Sequence, residues 1–373
     1  MKKIALFVLV LFVTAYAGSS SLFAQEKETK TFAVTKGGSL ELDTKAGSVA
    51  VNVWDKNEIN VTVQGIQDAD KQYLSITQTG NNLKVSFQPP ELRPRNNIQF
   101  ALSLPAEFDQ DLRTGGGEVK VANQQSIVGR VRILTGGGEI KIGDVNGDLN
   151  LRTGGGNLQT GAVTGNADLS AGGGNVTCGF IGGAANIRTG GGNILARGAG
   201  RDINISTGGG AITIEEAAAN TVATTGGGNL SVNKSSGKLT MSTGGGNVSI
   251  KNANGDLSVS TGGGNLAFKN VTGSVSGRTG AGDINAEINP VSKDTTLETG
   301  AGDINLGLPP STKAMILARI KSRIPHDETD ITCEFGSPEK GESKREKTFL
   351  INGGGPRILL ETTIGKIRIR KTS

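Results

Sequence analysis

The chain has 373 residues, of which 58 are glycine, and only 4% are Phe, Trp or Tyr. So few bulky side chains argue against one large compact core and favour a thin core shared among many short elements. The formal net charge is +5 and falls to about +3 when Lys2 and Lys3 are removed with residues 1–24. Because the basic residues are spread along the chain, these properties disfavour a nucleic-acid-binding protein.

The N-terminus has the pattern of a secretory signal peptide, which we predict for residues 1–24. Lys2 and Lys3 form a positive start, an apolar run extends to Val13, and small residues follow. Cleavage after Ala24 and cleavage after Ala17 both fit this pattern. The apolar run is shorter than the ~20 residues that a membrane span needs. The sequence therefore predicts export and no membrane span after cleavage, and it leaves the periplasm, the outer surface and the medium open.

Residues 25–110 predict an N-terminal β cap with the first irregular coils. Apolar and polar residues alternate over 40–42, 49–53, 59–63 and 83–87, which is typical of short strands. Residues 44–49 resemble a degraded copy of the repeat that follows. The only tryptophan, Trp54, is interpreted as a packing residue of this cap. A cap is expected because an open sheet edge can pair with another chain.

Residues 111–308 carry a repeat of Thr-Gly-Gly-Gly-Asn followed by an apolar residue. Most successive copies are 18 residues apart, and a constant period of this size predicts a solenoid. Each period alternates around apolar positions between turn residues, so we expect two short strands and two turns per coil. The copies begin at Thr114, Thr135, Thr153, Ala171, Thr189, Thr207, Thr225, Thr243, Thr261, Thr279 and Thr299.

The constant period also predicts columns of like residues along the solenoid. Leu158, Val176 and Ile194 lie five positions after the first residue of their copies and should stack on one another. The glycines are expected to allow tight turns, through positive φ or through close approach of two backbones. The Asn residues after the triplets are expected to hydrogen-bond along the axis. The fold class is therefore all-β: a single-stranded β-solenoid, or parallel β-helix, with 18-residue coils and irregular β caps at both ends.

Residues 309–373 predict C-terminal coils and a cap. Pro309 and Pro310 interrupt the repeat, and alternation over 318–324 favours a strand over a helix. Residues 336–347 form a predicted charged loop of mixed sign. Residues 362–367 again resemble the repeat turn and are expected to close the stack.

Residues able to perform chemistry are few and scattered. His326 is the only histidine, and together with Cys178 and Cys333 it cannot form a usual zinc site. Cys178 falls in an inward column, and we expect a buried thiol there. The glycine triplets lack the following Lys and Ser or Thr of a phosphate-binding loop. We therefore assign no catalytic, cofactor-binding or metal-binding residue, and no cofactor.

Calcium-binding β-rolls also use glycine-rich turns with a similar period. They place an Asp after the glycines, because Ca²⁺ prefers charged oxygen ligands. Here that position is mostly Asn, and the aspartates spread over the coils form no regular column. They are Asp144, Asp148, Asp168, Asp256, Asp283 and Asp303.

Several segments together resemble a bacterial family. They are Gly47–Asp55, the Leu104–Phe108 segment, the glycine-triplet turns, and the ending Asn352–Pro356 with Gly365-x-Ile367. The chain is similar to adhesin-like β-strand-repeat proteins of unknown function, and to the "head" domain assigned to auto-transporter adhesins. The resemblance covers nearly the whole mature chain. It implies a β-solenoid exported across the inner membrane and supplies no catalytic residue.

Three functional hypotheses follow. The first is an exported, non-enzymatic β-solenoid of the cell envelope, an adhesin-like binding or scaffold protein whose partner is a surface protein, a glycan or another copy of itself. The second is a carbohydrate-active β-helix enzyme, for which Glu215 and Glu216 are the only acidic pair in the regular coils. We expect that pair in a variable turn. The third is a periplasmic accessory factor in envelope signalling.

Overall fold

The computed structural model describes residues 27–90, 97–123, 126–322, 330–339 and 343–372. Within these ranges two long sheets, called sheet A and sheet B, contain 17 strands each. A short 3₁₀ helix, Asp68–Tyr73, lies in the N-terminal cap. No helix in the described part of the chain is long and apolar enough to cross a membrane.

Sheet A receives the strand that follows each glycine triplet. From the N-terminal to the C-terminal end its strands are β1 (Lys27–Ala33), β4 (Glu58–Gln64), β7 (Gln99–Pro105), β3 (Ser48–Trp54), β9 (Val119–Asn123), β12 (Ile140–Ile142), β15 (Leu158–Thr160), β17 (Val176–Ile181), β19 (Ile194–Ala199), β21 (Ile212–Ala217), β23 (Leu230–Ser235), β25 (Val248–Asn254), β27 (Leu266–Thr272), β29 (Ile284–Ile288), β31 (Ile304–Leu308), β36 (Ile367–Lys371) and β33 (Ile331–Cys333).

Sheet B receives the strand that precedes each glycine triplet. In the same direction its strands are β5 (Leu74–Thr79), β6 (Asn82–Phe87), β2 (Gly38–Thr44), β8 (Phe108–Thr114), β11 (Val131–Thr135), β14 (Leu149–Thr153), β16 (Ala167–Ala171), β18 (Ala185–Thr189), β20 (Ile203–Thr207), β22 (Thr221–Thr225), β24 (Leu239–Thr243), β26 (Leu257–Thr261), β28 (Val275–Thr279), β30 (Thr295–Ala301), β35 (Arg357–Ile364), β32 (Ala314–Ile320) and β34 (Glu346–Ile351).

Successive coils stack in the register that the period predicts. In sheet A, Leu158 pairs with Val176, and Val176 pairs with Ile194. All three side chains are buried. They occupy equivalent positions on neighbouring strands, and every second residue of such a strand faces the interior of the solenoid. The predicted β-solenoid fold and its apolar columns are therefore confirmed.

Each regular coil has a third inward-facing side, beyond those of its two main strands, that was not predicted from the sequence. In β17 the pairing with the next coil skips Gly179, so that Cys178 and Ile181, three positions apart, are both buried. The two-strand, two-turn description of a coil is therefore incomplete. The short strands β10 (Ile127–Val128) and β13 (Val145–Asn146) belong to this third face. Its buried column contains Ile127, Val145, Val163, Ile181, Ala199, Ala217, Ser235, Ala253, Val271 and Ile288.

The glycine triplets are required by close approach of backbones. A Cβ on the first or third glycine would lie 1.9 to 2.3 Å from a backbone oxygen of the preceding coil, whereas the middle position has open space. No glycine of these regular turns has a left-handed φ. Of the two explanations offered by the sequence, close approach is therefore the correct one.

Hydrogen bonds from side chains join each turn to its neighbours. Thr225 Oγ1 donates to the carbonyl oxygen of Gly210, 2.8 Å away, and accepts from the N–H of Gly228 at 3.2 Å. Asn175 Oδ1 accepts from the backbone N–H of Asn193 at 2.8 Å. The axial Asn ladder therefore exists, but its donors are backbone N–H groups and not neighbouring side-chain amides. This is why Asp283 can take the same place in the ladder.

Both ends of the solenoid are interlocked. The first coil inserts β2 between β6 and β8, and its Thr44 pairs with Thr114. The last strand, β36, inserts between β31 and β33. Residues 362–367 therefore form a repeat turn as predicted. They do not close the stack, because β32 pairs beyond β35 and β33 pairs beyond β36. Antiparallel strands β1, β5 and β34 end three of the four sheet edges, and β33, which is parallel to β36, ends the fourth. Strand β34 includes Glu346 and Lys347 from the predicted charged loop.

Candidate functional site

The outer face of sheet B carries a polar groove of about 970 Å³ that extends over the coils from β11 to β22. Two rows of side chains line it with one residue from each coil, and a third row contributes two arginines. The edge row precedes the strands and contains Arg130, Asp148, Asn166, Ala184, Asp202 and Asn220. The middle row holds the second residue of each strand: Arg132, Asn150, Asp168, Asn186, Asn204 and Val222. Arg152 and Arg188 come from the row of fourth residues.

Asp168 is the centre of the hydrogen-bond network in this groove. Its Oδ2 accepts from Arg152 Nη2 at 3.0 Å and from Asn150 Nδ2 at 3.2 Å. Its Oδ1 accepts from Asn186 Nδ2 at 3.2 Å. The carboxylate thus draws both amide groups toward itself. The oxygens Asn150 Oδ1 and Asn186 Oδ1 are enclosed and accept no hydrogen bond from the described residues.

The remaining arginines of the groove are exposed. Within the described ranges, Arg132 and Arg188 form no ion pair, whereas Arg152 is held by Asp168. Asp148 Oδ1 accepts from the backbone N–H of Asn166 at 2.8 Å. The groove therefore presents unpaired guanidinium groups, while two of its carboxylates are already engaged.

The composition of the middle row changes along the solenoid. From β11 to β20 the row carries Arg, Asn or Asp, whereas β24, β26 and β28 carry Thr240, Ser258 and Ser276 at the same position. All of these positions face outward on one sheet, so burial does not explain the difference. This change is a signal of a specialised segment that the sequence analysis missed.

Comparison with known proteins identifies the family. The Toastrack DUF4097 family model matches residues 37–370. The chain belongs to this family. The resemblance to adhesin-like β-repeat proteins, noted from the sequence, is thereby confirmed. No curated protein matches the chain.

Three solved structures illustrate what this Toastrack chain is similar to. A "putative cell adhesion protein" from Clostridium sporogenes ATCC 15579 has 7% identity, a TM-score of 0.20, and coverage of 93% of this chain and 100% of its own. A "putative adhesin" from Bacteroides fragilis NCTC 9343 has 11% identity, a TM-score of 0.20, and coverage of 94% and 98%. A "putative adhesin" from Parabacteroides distasonis ATCC 8503 has 12% identity, a TM-score of 0.23, and coverage of 94% and 98%.

The cysteines of this Toastrack chain are far apart in the stack and both are free thiols. Cys178 is buried in the inward column of sheet A, where desolvation raises its pKa to about 12. Cys333 is half-buried in β33, and its pKa is also raised, chiefly by desolvation. His326 lies outside the described residues, as do the predicted signal peptide and both of its cleavage sites.

The acidic pair Glu215–Glu216 lies in strand β21, so its predicted position in a variable turn is wrong. Glu216 forms an ion pair with Lys234 of the next coil, with 2.7 Å between Oε1 and Nζ. Neither glutamate lines the groove on sheet B. The two residues both point outward because the pairing between coils skips Glu215, as it skips Gly179 in β17.

The aspartates considered for calcium have structural roles. Five of them accept a backbone N–H from the next coil or from the C-terminal coil, at 2.7 to 3.1 Å, and Asp168 serves the network described above. In the described part of the chain, no group of three or more His, Cys, Asp or Glu residues could hold a metal ion. The five are Asp144, Asp148, Asp256, Asp283 and Asp303.

Proposed function

We propose that this protein is an exported, non-enzymatic, adhesin-like binding protein of the cell envelope. The observation that carries the proposal is the polar groove on the outer face of sheet B. The solenoid supports that groove on a continuous parallel sheet, so side chains from distant parts of the sequence are held in fixed rows. Preorganisation of this kind favours binding, because less side-chain freedom is lost when a partner docks.

The engaged carboxylates support a binding role over a catalytic one. A glycosidase needs two carboxyl groups on either side of one bond, roughly 5 to 10 Å apart. Asp168 is compensated by Arg152 and by two amides, and Glu216 by Lys234. The carboxyl groups of Asp168 and Glu216 therefore join one coil to another and stabilise the stack.

Export is supported by the signal-peptide pattern of residues 1–24, and the cell envelope is the compartment that we propose. The rival functions, a carbohydrate-active enzyme and an accessory factor in envelope signalling, become outcomes of the same experiment. The intact protein is incubated with the envelope fraction of its own cells, with and without purified cell-wall glycan as a soluble competitor.

We expect the protein to retain an envelope component and to lose it when a competing glycan is added. Shortened glycan chains after incubation would instead support the enzyme, and a Glu215→Gln, Glu216→Gln variant would then test that pair. Retention of soluble signalling proteins alone would support the accessory factor. The absence of any retained component would overturn the binding role.

A further inference from the structure

The arginines of the groove are spaced along the solenoid axis. Arg152 and Arg188 occupy the same position, the fourth residue of β14 and of β18, with β16 between them. Because neighbouring strands are about 4.8 Å apart, two coils separate the two side chains by roughly 10 Å. That distance is close to the length of one disaccharide in an extended sugar chain.

The charges of the groove favour an anionic ligand of moderate charge density. Arg132 and Arg188 form no ion pair in the described part of the chain, and Arg152 is oriented by Asp168. A guanidinium group matches the planar geometry of a carboxylate and can donate two parallel hydrogen bonds to it. The aspartates of the edge and middle rows would repel a ligand with a charge on every unit.

The amide side chains favour a ligand rich in hydroxyl groups. Asn166, Asn186, Asn204 and Asn220 line the same groove, and each amide can both donate and accept. Sugar hydroxyls also do both, so an oligosaccharide can satisfy several of these groups at once. Asn150 Oδ1 and Asn186 Oδ1 have no donor among the described residues, and a hydroxyl that displaced a neighbouring side chain would supply one.

The lining of the groove is unfavourable for nucleic acid. No aromatic side chain lines it, whereas single strands are bound mainly by stacking bases on aromatic rings. Its four arginines are accompanied by three aspartates, whereas nucleic-acid sites concentrate positive charge. Among anionic polymers, the side chains therefore suit a polysaccharide better than a nucleic acid.

From these observations we propose that the groove on sheet B binds an extended polysaccharide that carries carboxylate groups and lies along the solenoid axis. Arg132, Arg152 and Arg188 contact the carboxylates, and the Asn side chains contact the hydroxyls. This proposal rests on the binding role proposed above and adds the ligand class and its site.

The test measures binding of hyaluronate, which carries one carboxylate on each disaccharide, to the intact protein by isothermal titration calorimetry. The variant Arg188→Ser places in the groove the residue that the neighbouring coils already carry, Ser170 and Ser206, so it should fold. The matched control is Arg278→Ser, which changes the same position in β28, beyond the groove, where Arg278 pairs with Glu298 at 3.1 Å. Melting temperatures of all variants are compared with that of the unchanged protein.

We expect Arg188→Ser to weaken hyaluronate binding about tenfold, as loss of one charged hydrogen-bonded contact predicts. Arg152→Ser combined with Arg188→Ser should weaken it further, and Arg278→Ser should bind as the unchanged protein does. Fully methyl-esterified hyaluronate, which lacks the charges, should not bind. Equal binding by Arg188→Ser and Arg278→Ser would overturn the assignment of the site.

Other ligands test the class and separate this proposal from the one on which it rests. Equal binding of neutral dextran, of a phosphodiester polymer or of single-stranded DNA would overturn the assignment to carboxylates. If the protein retains an envelope component but does not bind hyaluronate, the groove proposal fails while the proposed function stands. If it retains no envelope component at all, the proposed function itself fails.

Discussion

A Cβ placed on Gly192 would lie 2.1 Å from the carbonyl oxygen of Gly174, its counterpart in the preceding coil. The neighbouring Gly191 has no atom within 4 Å of the same hypothetical position. Real side chains never approach a backbone oxygen as closely as the first distance, so one coil would have to move away from the next. The two glycines are adjacent in sequence, but only Gly191 has room for a side chain.

We expect Gly192→Ala to destabilise the protein by roughly 2 kcal/mol or more, because backbone atoms cannot move aside as a flexible side chain can. Gly191→Ala is the matched control. It should change stability by less than about 1 kcal/mol, and toward stabilisation, because alanine restricts the unfolded chain. The last two regular turns already carry Ala281 and Ala301 at the middle position. Urea unfolding midpoints measure the difference, and equal midpoints would contradict it.

The Asn ladder is interrupted at one coil. Asn193 Oδ1 accepts from the backbone N–H of Ala211 at 2.8 Å, but Ala211 has no side-chain oxygen to accept from Asn229. We expect Ala211→Asn to complete the ladder and to stabilise the protein by about 0.5 to 1.5 kcal/mol, the net value of one hydrogen bond.

Two controls at the preceding rung distinguish the hydrogen bond from other effects of the substitution. Asn193→Ala should destabilise the protein by a similar amount. Asn193→Asp should preserve the bond, because Asp283 accepts the N–H of Asp303 at 2.8 Å in the same ladder. The prediction fails if Ala211→Asn lowers the unfolding midpoint or if Asn193→Asp behaves like Asn193→Ala.

Asp303 holds the C-terminal strand β36 in place. Its Oδ1 accepts from the backbone N–H of Lys366 and its Oδ2 accepts from Arg368 Nη1, each at 2.8 Å. Burial alone would raise the pKa of this carboxyl, but the hydrogen bonds from Lys366 and Arg368 outweigh burial and lower it. Because the folded-state pKa is below the unfolded value of about 3.9, the stabilisation is fully present above that value.

We therefore expect Asp303→Asn to lower stability at pH 7, by less than about 1 kcal/mol because the ion pair is partly exposed. The difference from the unchanged protein should shrink as the pH falls from about 4 through the lowered pKa, since the carboxyl is then protonated. Arg368→Gln should show the same pH dependence. Urea midpoints at pH 7 and across the acid range measure it, and a difference that grows on acidification would exclude this account.

The regular part of the fold was predictable because equal coil length sets the register. Leu158, Val176 and Ile194 stack because each lies 18 residues after the last. The buried column of the third side was missed because Ala199, Ala217, Ser235 and Ala253 interrupt its apolar pattern in the middle of the solenoid. The repeat period shows which positions correspond from one coil to the next. It does not show whether a position filled by a small residue faces the interior.

The interlocked ends and the groove depend on relationships that no single repeat contains. Strand β35 pairs between β30 and β32 although β32 precedes it in the chain, and only long-range pairing decides that order. The groove likewise takes ordinary polar residues from many coils, such as Arg152 and Arg188. Their arrangement becomes visible only when the outward positions are read down one column of the stacked coils.

The two free thiols should differ in reactivity with alkylating reagents. Cys178 is 2% exposed, and desolvation raises its pKa to about 12, whereas Cys333 is half-buried in a short strand at the edge of sheet A. Alkylation requires the thiolate and access to it. We therefore expect iodoacetamide at pH 8 to label Cys333 in the folded protein and to label Cys178 only in denaturant, as peptide mass spectrometry would show.

In a Cys333→Ser variant, labelling of Cys178 would report the opening of the central coils. Its rate should increase with urea in parallel with the loss of β circular dichroism if the regular coils unfold together. If Cys178 in the folded variant were labelled as fast as Cys333 is in the unchanged protein, the inward column of sheet A would open readily. A rigid groove on the neighbouring sheet would then be untenable, because β16, which carries Asp168, belongs to the same coils as Cys178.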